Sequence, residues 1–286
     1  MNASLIATDV VAFSAQVTCM VAVAAIVSFL VRIDAASVRY QYWRAVLVLC
    51  LLLPWLQGRQ PTPAASESVG AAVFSVTAMS TTVAPAASIA ADGIAWQTLA
   101  IWIVVGIIGL RLTRLALGLA RLRRLRRSGR LAEPNADHDD LQSSLGTRAE
   151  IRYVAGEQPV TCGAWRPVVL LPETLPSHSP AIQRAVLTHE LLHVQRRDWL
   201  WVMGEEVLRA VLWFHPAVWW LVSRVRLARE EVVDELTVLS TGQRRAYLEA
   251  LLAFADAAPV VPTAAFARRP HLFRENDVDL EGGGHV

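Results

Sequence analysis

Residues 180–203, PAIQRAVLTHELLHVQRRDWLWVM, decide how this chain is read. Ser179 can cap a helix whose first position is Pro180, where a missing amide hydrogen costs nothing, so the stretch predicts one helix. His189 and His193 are four residues apart within it. That spacing puts both imidazoles on one helical face at adjacent turns, close enough to hold a single tetrahedral Zn²⁺. Glu190 follows the first histidine, and its carboxylate can reach the fourth, water-occupied position, take a proton there and return one to a leaving amine. The bland alternative packs the two histidines and the glutamate among Ala185, Val186, Leu192 and Val194. Burying that trio without a partner cation is costly.

A catalytic zinc needs a third protein ligand. A second predicted helix, Pro216 to about Leu239, carries Glu230 and Asp234 four residues apart on one face. Glu230 can bind the metal while Asp234 accepts an imidazole N–H and fixes the tautomer of a ligand histidine. Glu231 and Glu235 fall on the neighbouring face and read as a solvated acidic face pairing with Arg226, Arg229 or Arg244. Between the two helices, Ala210 to Val222 is too short to span a bilayer and is interrupted by Pro216, so it predicts a turn at the membrane surface. Trp199, Trp201, Trp213, Trp219 and Trp220 suit an aromatic band there or a helix–helix seam. His215 belongs to the turn and is read as structural.

The rest of the chain is unusually apolar. Of its 286 residues, 54% are hydrophobic, which points to a membrane protein rather than a soluble domain. Residues 10–31 form an uncharged run of spanning length, residues 45–56 a shorter one that Tyr40, Tyr42, Trp43 and Arg44 flank and extend to a span over 43–56, and residues 93–110 a third. The Pro-, Ala-, Ser- and Thr-rich stretch at 57–92 reads as an exposed outer loop. Arginines follow the first run at 32, 39 and 44 and the third from Arg111 to Arg130, which places those segments in the cytoplasm and everything after residue 111 with them. A net charge of +2 makes no case for nucleic acid, and arginines just inside a membrane serve lipid contact and topology.

Beyond an acidic linker at 133–140, Glu150 to Ala155 and Pro167 to Leu171 read as strands of a small hairpin or sheet, with Cys162 in the connecting region as a buried thiol. The three cysteines, Cys19, Cys50 and Cys162, form no disulfide framework or metal knuckle. The predicted fold is mainly α: multi-pass membrane helices in residues 1–119, a zinc metallopeptidase domain with a small β-sheet in 120–258, and a polar tail in 259–286.

Four segments together resemble a known family: Arg166-Pro167-Val168-Val169-Leu170-Leu171-Pro172, His189-Glu190-Leu191-Leu192-His193 with Arg196-Arg197-Asp198, Trp213-Phe214-His215-Pro216-Ala217-Val218-Trp219-Trp220, and Arg229-Glu230 through Asp234-Glu235-Leu236. They resemble the BlaR/MecR-type antirepressor metallopeptidases, membrane-bound gluzincins. The resemblance implies His189, His193 and Glu230 as zinc ligands, Glu190 as catalytic base and Asp234 as a partner behind the ligands. It also implies three membrane helices ahead of a cytoplasmic peptidase domain in the plasma (inner) membrane. The implied activity is that of a sensor protease which cleaves its own chain or a cytoplasmic transcriptional repressor, with membrane lipids and a homodimer as further partners. Val233 departs from the family, which usually has cysteine there. The best-known members continue into a fourth membrane helix and an extracellular penicillin-binding sensor, whereas this sequence ends at Val286, so direct β-lactam sensing by this polypeptide is not expected. Two rivals carry different expectations: a non-catalytic receptor or scaffold locked by zinc, and a general membrane quality-control protease of the Ste24/HtpX type. A site closed by four protein ligands would mark the first, and the absence of a neighbouring repressor gene the second.

Overall fold

The structure, a computed structural model, describes residues 3–56, 96–156 and 158–255. The predicted outer loop at 57–92 and tail at 259–286 lie outside these residues. Three long helices come first: α1 (Ala3–Val31), α2 (Ala36–Leu56) and α3 (Trp96–Ser128). Segments of α1 (Asp9–Val31) and α3 (Thr98–Ser128) are long and apolar enough to cross a membrane. The second predicted span is one end of a longer helix, α2, which begins at Ala36 and carries Pro54 inside it.

The burial pattern of α2 explains its role. Ala36, Tyr40, Trp43, Leu47 and Cys50 are buried at alternating spacings of four and three, the seam of a helix packed lengthwise on another. Its partner is α7 (Pro216–Thr241), whose Val218, Leu221, Val225, Ala228 and Val232 repeat the same spacing and share one core with α2 and with Val17, Val21 and Ala24 of α1. Trp43 meets Trp220 edge to face in that seam, with ring centroids 5.4 Å apart. Burying each large apolar side chain along it contributes about 1.5–3 kcal/mol. The tryptophans therefore divide: Trp220 joins the seam, while Trp201 lies 3.6 Å beneath the Arg44 guanidinium.

The sheet has four strands in the order β1-β2-β4-β3: β1 (Arg130–Leu131), β2 (Glu150–Val154), β3 (Val160–Cys162) and β4 (Val168–Pro172). The two segments predicted as strands pair in parallel as β2 and β4, so no hairpin joins them. Between them comes β3, which pairs antiparallel with β4 and holds Cys162 within a strand. Gly163, at φ 94°, turns that corner, where a Cβ would stand 2.6 Å from the Arg166 carbonyl oxygen. All five residues of β4 are buried, because Val169 and Leu171 face Leu187 and Leu191 of α5 (Pro180–Gln195) while Val168 and Leu170 face Leu122 of α3. This two-sided burial is why β4 reads as a continuous apolar run.

Two further expectations need correction. The acidic linker contains a short helix, α4 (Ala136–Ser144), whose N-cap Asn135 accepts a hydrogen bond from the Asp137 amide. The single helix predicted over 180–203 is two, α5 and α6 (Asp198–Val211), because Arg197 takes a left-handed conformation at φ 55°. The last described helix, α8 (Arg244–Ala255), follows the left-handed Gly242 that ends α7 and packs back on α5.

Candidate metal centre

Helix α5 is held from both sides, by the sheet below and by α7 and α8 above, and this fixes where His189 and His193 point. The Nε2 atoms of the two histidines are 3.3 Å apart. Glu230 on α7 brings its Oε2 to 3.8 Å from Nε2 of His189 and 3.7 Å from Nε2 of His193. One ligand atom from each residue thus lies within 4.8 Å of the other two. Of the five residues singled out, the structure brings His189, His193 and Glu230 to one point, sets Glu190 beside them on α5, and places Asp234 behind His189.

The remaining ring nitrogens show how the imidazoles are oriented. Nδ1 of His193 is 2.9 Å from Oδ2 of Asp198, a buried carboxylate. A carboxylate only accepts, so Nδ1 carries a proton, and Nε2 is the nitrogen left to face Glu230 and a metal ion. His189 is fixed through a relay. The Tyr247 hydroxyl donates its one proton to Oδ1 of Asp234, so at 3.1 Å its oxygen accepts from Nδ1–H of His189. Asp234 itself is 3.5 Å from that Nδ1, so the expected link between this carboxylate and a ligand histidine runs largely through a tyrosine.

Charge at the centre favours a cation. Burial alone pulls the His193 imidazole down, but the Glu230 carboxylate, the Asp198 hydrogen bond and Glu190 outweigh it and push the group up to about 10. Burial likewise raises Glu230, and the two histidines with Arg229 reverse this, holding it well below the ordinary carboxylate range. Two imidazoles whose Nε2 atoms converge and an ionised carboxylate are the borderline-soft nitrogen and oxygen donors that suit Zn²⁺, which would displace the proton from Nε2 of His193, so the residues fit the ion the sequence implies. The Glu230 side chain keeps 38% of its surface open, which leaves the centre a side facing solvent.

Glu190 is buried and restrained by the edge strand of the sheet. Oγ1 of Thr161 in β3 lies 2.7 Å from Oε2 of Glu190 and 3.1 Å from its backbone carbonyl oxygen. The carboxylate is thereby aimed from the same strand whose outer edge is unpaired among the described residues.

Behind Glu230 lies an ionic core that the sequence reading assigned to the surface. Arg229 is buried and donates to both oxygens of Glu205 on α6, at 2.8 and 3.2 Å. Arg226 bridges Glu205 and Glu206, and Glu231 pairs with Arg39 of α2 rather than with Arg226, Arg229 or Arg244. Glu235 is exposed as expected. His215 caps α7, its Nδ1 accepting from the Val218 amide, which agrees with a structural role.

Sequence reasoning missed Asp198, Tyr247 and Thr161. Asp198 had one available signal, since it sits five residues beyond His193 in the quoted Arg-Arg-Asp. Tyr247 had none, because only the return of α8 onto α5 brings it to His189.

The family described as BlaR1 peptidase M56 matches residues 8–277. The regulatory protein BlaR1 of Bacillus licheniformis is 33% identical over 93 residues, an alignment that covers 32% of this chain and 15% of that protein's length. The chain therefore spans a minor part of the curated relative it matches.

Proposed function

This chain belongs to the BlaR1 peptidase M56 family, and from that premise we propose that it is a membrane-bound zinc endopeptidase of the sensor-transducer type. On this reading it spans the plasma (inner) membrane several times, with its N-terminus outside and the peptidase site on the cytoplasmic side. Its substrate on this reading is its own chain or a cytoplasmic transcriptional repressor, and the relative it matches in part is named a regulatory protein. The observation that carries the reading is the meeting of Nε2 of His189 and His193 with the Glu230 carboxylate, beside Glu190.

His189, His193 and Glu230 would hold the ion, and Zn²⁺ bound there would supply Lewis acidity to the scissile carbonyl and to water. Asp198 keeps His193, and Tyr247 with Asp234 keeps His189, in the tautomer that offers Nε2. Glu190, aimed by Thr161, takes the proton from the attacking water and hands one to the departing amine. An extended substrate pairs with the open edge of β3, which would carry its scissile bond past Glu190. The test is to compare the protein fragments of cells carrying the wild-type chain and Glu190→Gln. One cleavage product should vanish in the variant while zinc stays bound. A variant that cleaves at the wild-type rate removes Glu190 from the mechanism.

A further inference from the structure

The hairpin of α6 and α7 presents a surface at odds with a helix pair bathed in water. Between Leu200 and Pro216 every exposed position is apolar or glycine: Leu200, Gly204, Val207, Val211, Phe214 and Pro216. The first five recur at spacings of four and three, one continuous stripe along α6 and into the turn. Leu200, Val207, Val211 and Phe214 expose 47, 45, 38 and 40% of their surface. A solvated helix carries its charges on such a face. Here the carboxylates and Arg209 point the opposite way. Glu205 is bound by Arg229 and Arg226, and Glu206 by Arg226 and Arg209.

The position of the hairpin says what covers the stripe. At its tip, Nε2 of His215 donates to the backbone carbonyl oxygen of Ser14, 3.2 Å away and five residues inside the candidate span Asp9–Val31. The tip half of α7 shares its core with α1 and α2. A turn lying on the membrane surface, as the sequence suggests, would not meet a span at that depth. The first leg is also too short to cross: the 14 residues of α6 reach about 21 Å, against a hydrocarbon core of about 30 Å.

We propose that α6 and the first half of α7 form a re-entrant hairpin inserted in the bilayer, with the Leu200–Phe214 stripe in contact with lipid acyl chains and the ionic core sealed inside. The proposal rests on reading α1 and α3 as membrane spans. It sets the metal centre at the base of the hairpin, since Asp198 opens one leg and Glu230 follows Pro216 by 14 residues on the other. The centre therefore lies at the membrane surface, and the segments it reaches are those that run close to the bilayer.

The test uses the full chain in liposomes, with Cys19, Cys50 and Cys162 replaced by alanine and a nitroxide attached in turn at Val207→Cys, Val211→Cys and Phe214→Cys. References are Ile103→Cys on α3 and Leu239→Cys at the far end of α7, both exposed. Collision rates with dissolved oxygen and with a water-soluble nickel chelate are compared. The three hairpin sites should match Ile103, favouring oxygen severalfold over Leu239. Chelate access equal to that of Leu239 overturns the insertion, and low access to both reagents overturns it in favour of a second copy of the chain covering the stripe. If Ile103 also reads as water-exposed, the membrane reading fails and the insertion fails with it.

Discussion

Replacing Asp198 by asparagine should weaken zinc binding about tenfold without unfolding the chain. Asp198 is 3% exposed and accepts from Nδ1 of His193 at 2.9 Å and from Nε of Arg196 at 3.3 Å. Asparagine keeps the shape and one acceptor oxygen but loses the charge. A hydrogen bond to a charged group contributes about 1.5–3 kcal/mol and a neutral one about 0.5–1.5, so the change costs roughly 1–1.5 kcal/mol. Since about 1.4 kcal/mol is tenfold in an equilibrium constant, Kd rises by close to that factor. Asp198→Ala removes the acceptor altogether and should reach the upper part of the 10- to 100-fold range, roughly, seen when partners of metal-ligating histidines are lost. The assay is competition with a chromophoric chelator on the purified full-length protein at neutral pH. Affinities within twofold of wild type for both variants would refute the claim that Asp198 sets the orientation of His193.

Three further outcomes follow from other contacts. Tyr247→Phe breaks the relay between Asp234 and His189, but Asp234 is already 3.5 Å from Nδ1, so the same titration should show a smaller loss of about two- to tenfold. Thr161→Val frees the Glu190 carboxylate, so kcat for a cleaved peptide should fall by up to about tenfold with zinc affinity unchanged. Arg229→Met leaves Glu205 buried with one of its two arginine partners gone and should lower stability by roughly 3–5 kcal/mol, read as a fall in Tm in detergent, while Glu205→Gln with Arg229→Met recovers part of it.

The cluster of His189, His193 and Glu230 was legible in the sequence because its members are placed by spacing within single helices. His189 with His193, and Glu230 with Asp234, share faces by spacing alone, and only the meeting of α5 with α7 had to be inferred. What escaped depends on backbone departures and on long-range return. Asp198 reaches His193 because Arg197 adopts a left-handed conformation that breaks a helix whose residues are individually compatible with continuing. Tyr247 and Thr161 reach the site from α8 and β3, and neither carries a local pattern. Arg226 and Arg229 read as surface residues because charge is ordinarily solvated, whereas here α6 supplies two carboxylates to bury them. The strands at 150–154 and 168–172 were found, but their parallel pairing was not, since the order in a sheet depends on the path taken between strands. The start of α2 was missed because its heptad seam with α7 continues through Tyr40 and Ala36, beyond the apolar run.

The central claim is that His189, His193 and Glu230 close on one divalent ion. Zinc analysis and X-ray absorption on the purified full-length chain test it most directly. The account predicts one zinc per chain, with two imidazole nitrogens at about 2.0–2.1 Å, an oxygen shell and no sulfur, and loss of the ion in both His193→Ala and Glu230→Ala. A chain that binds no zinc, or one that keeps it at full stoichiometry after Glu230→Ala, would contradict it.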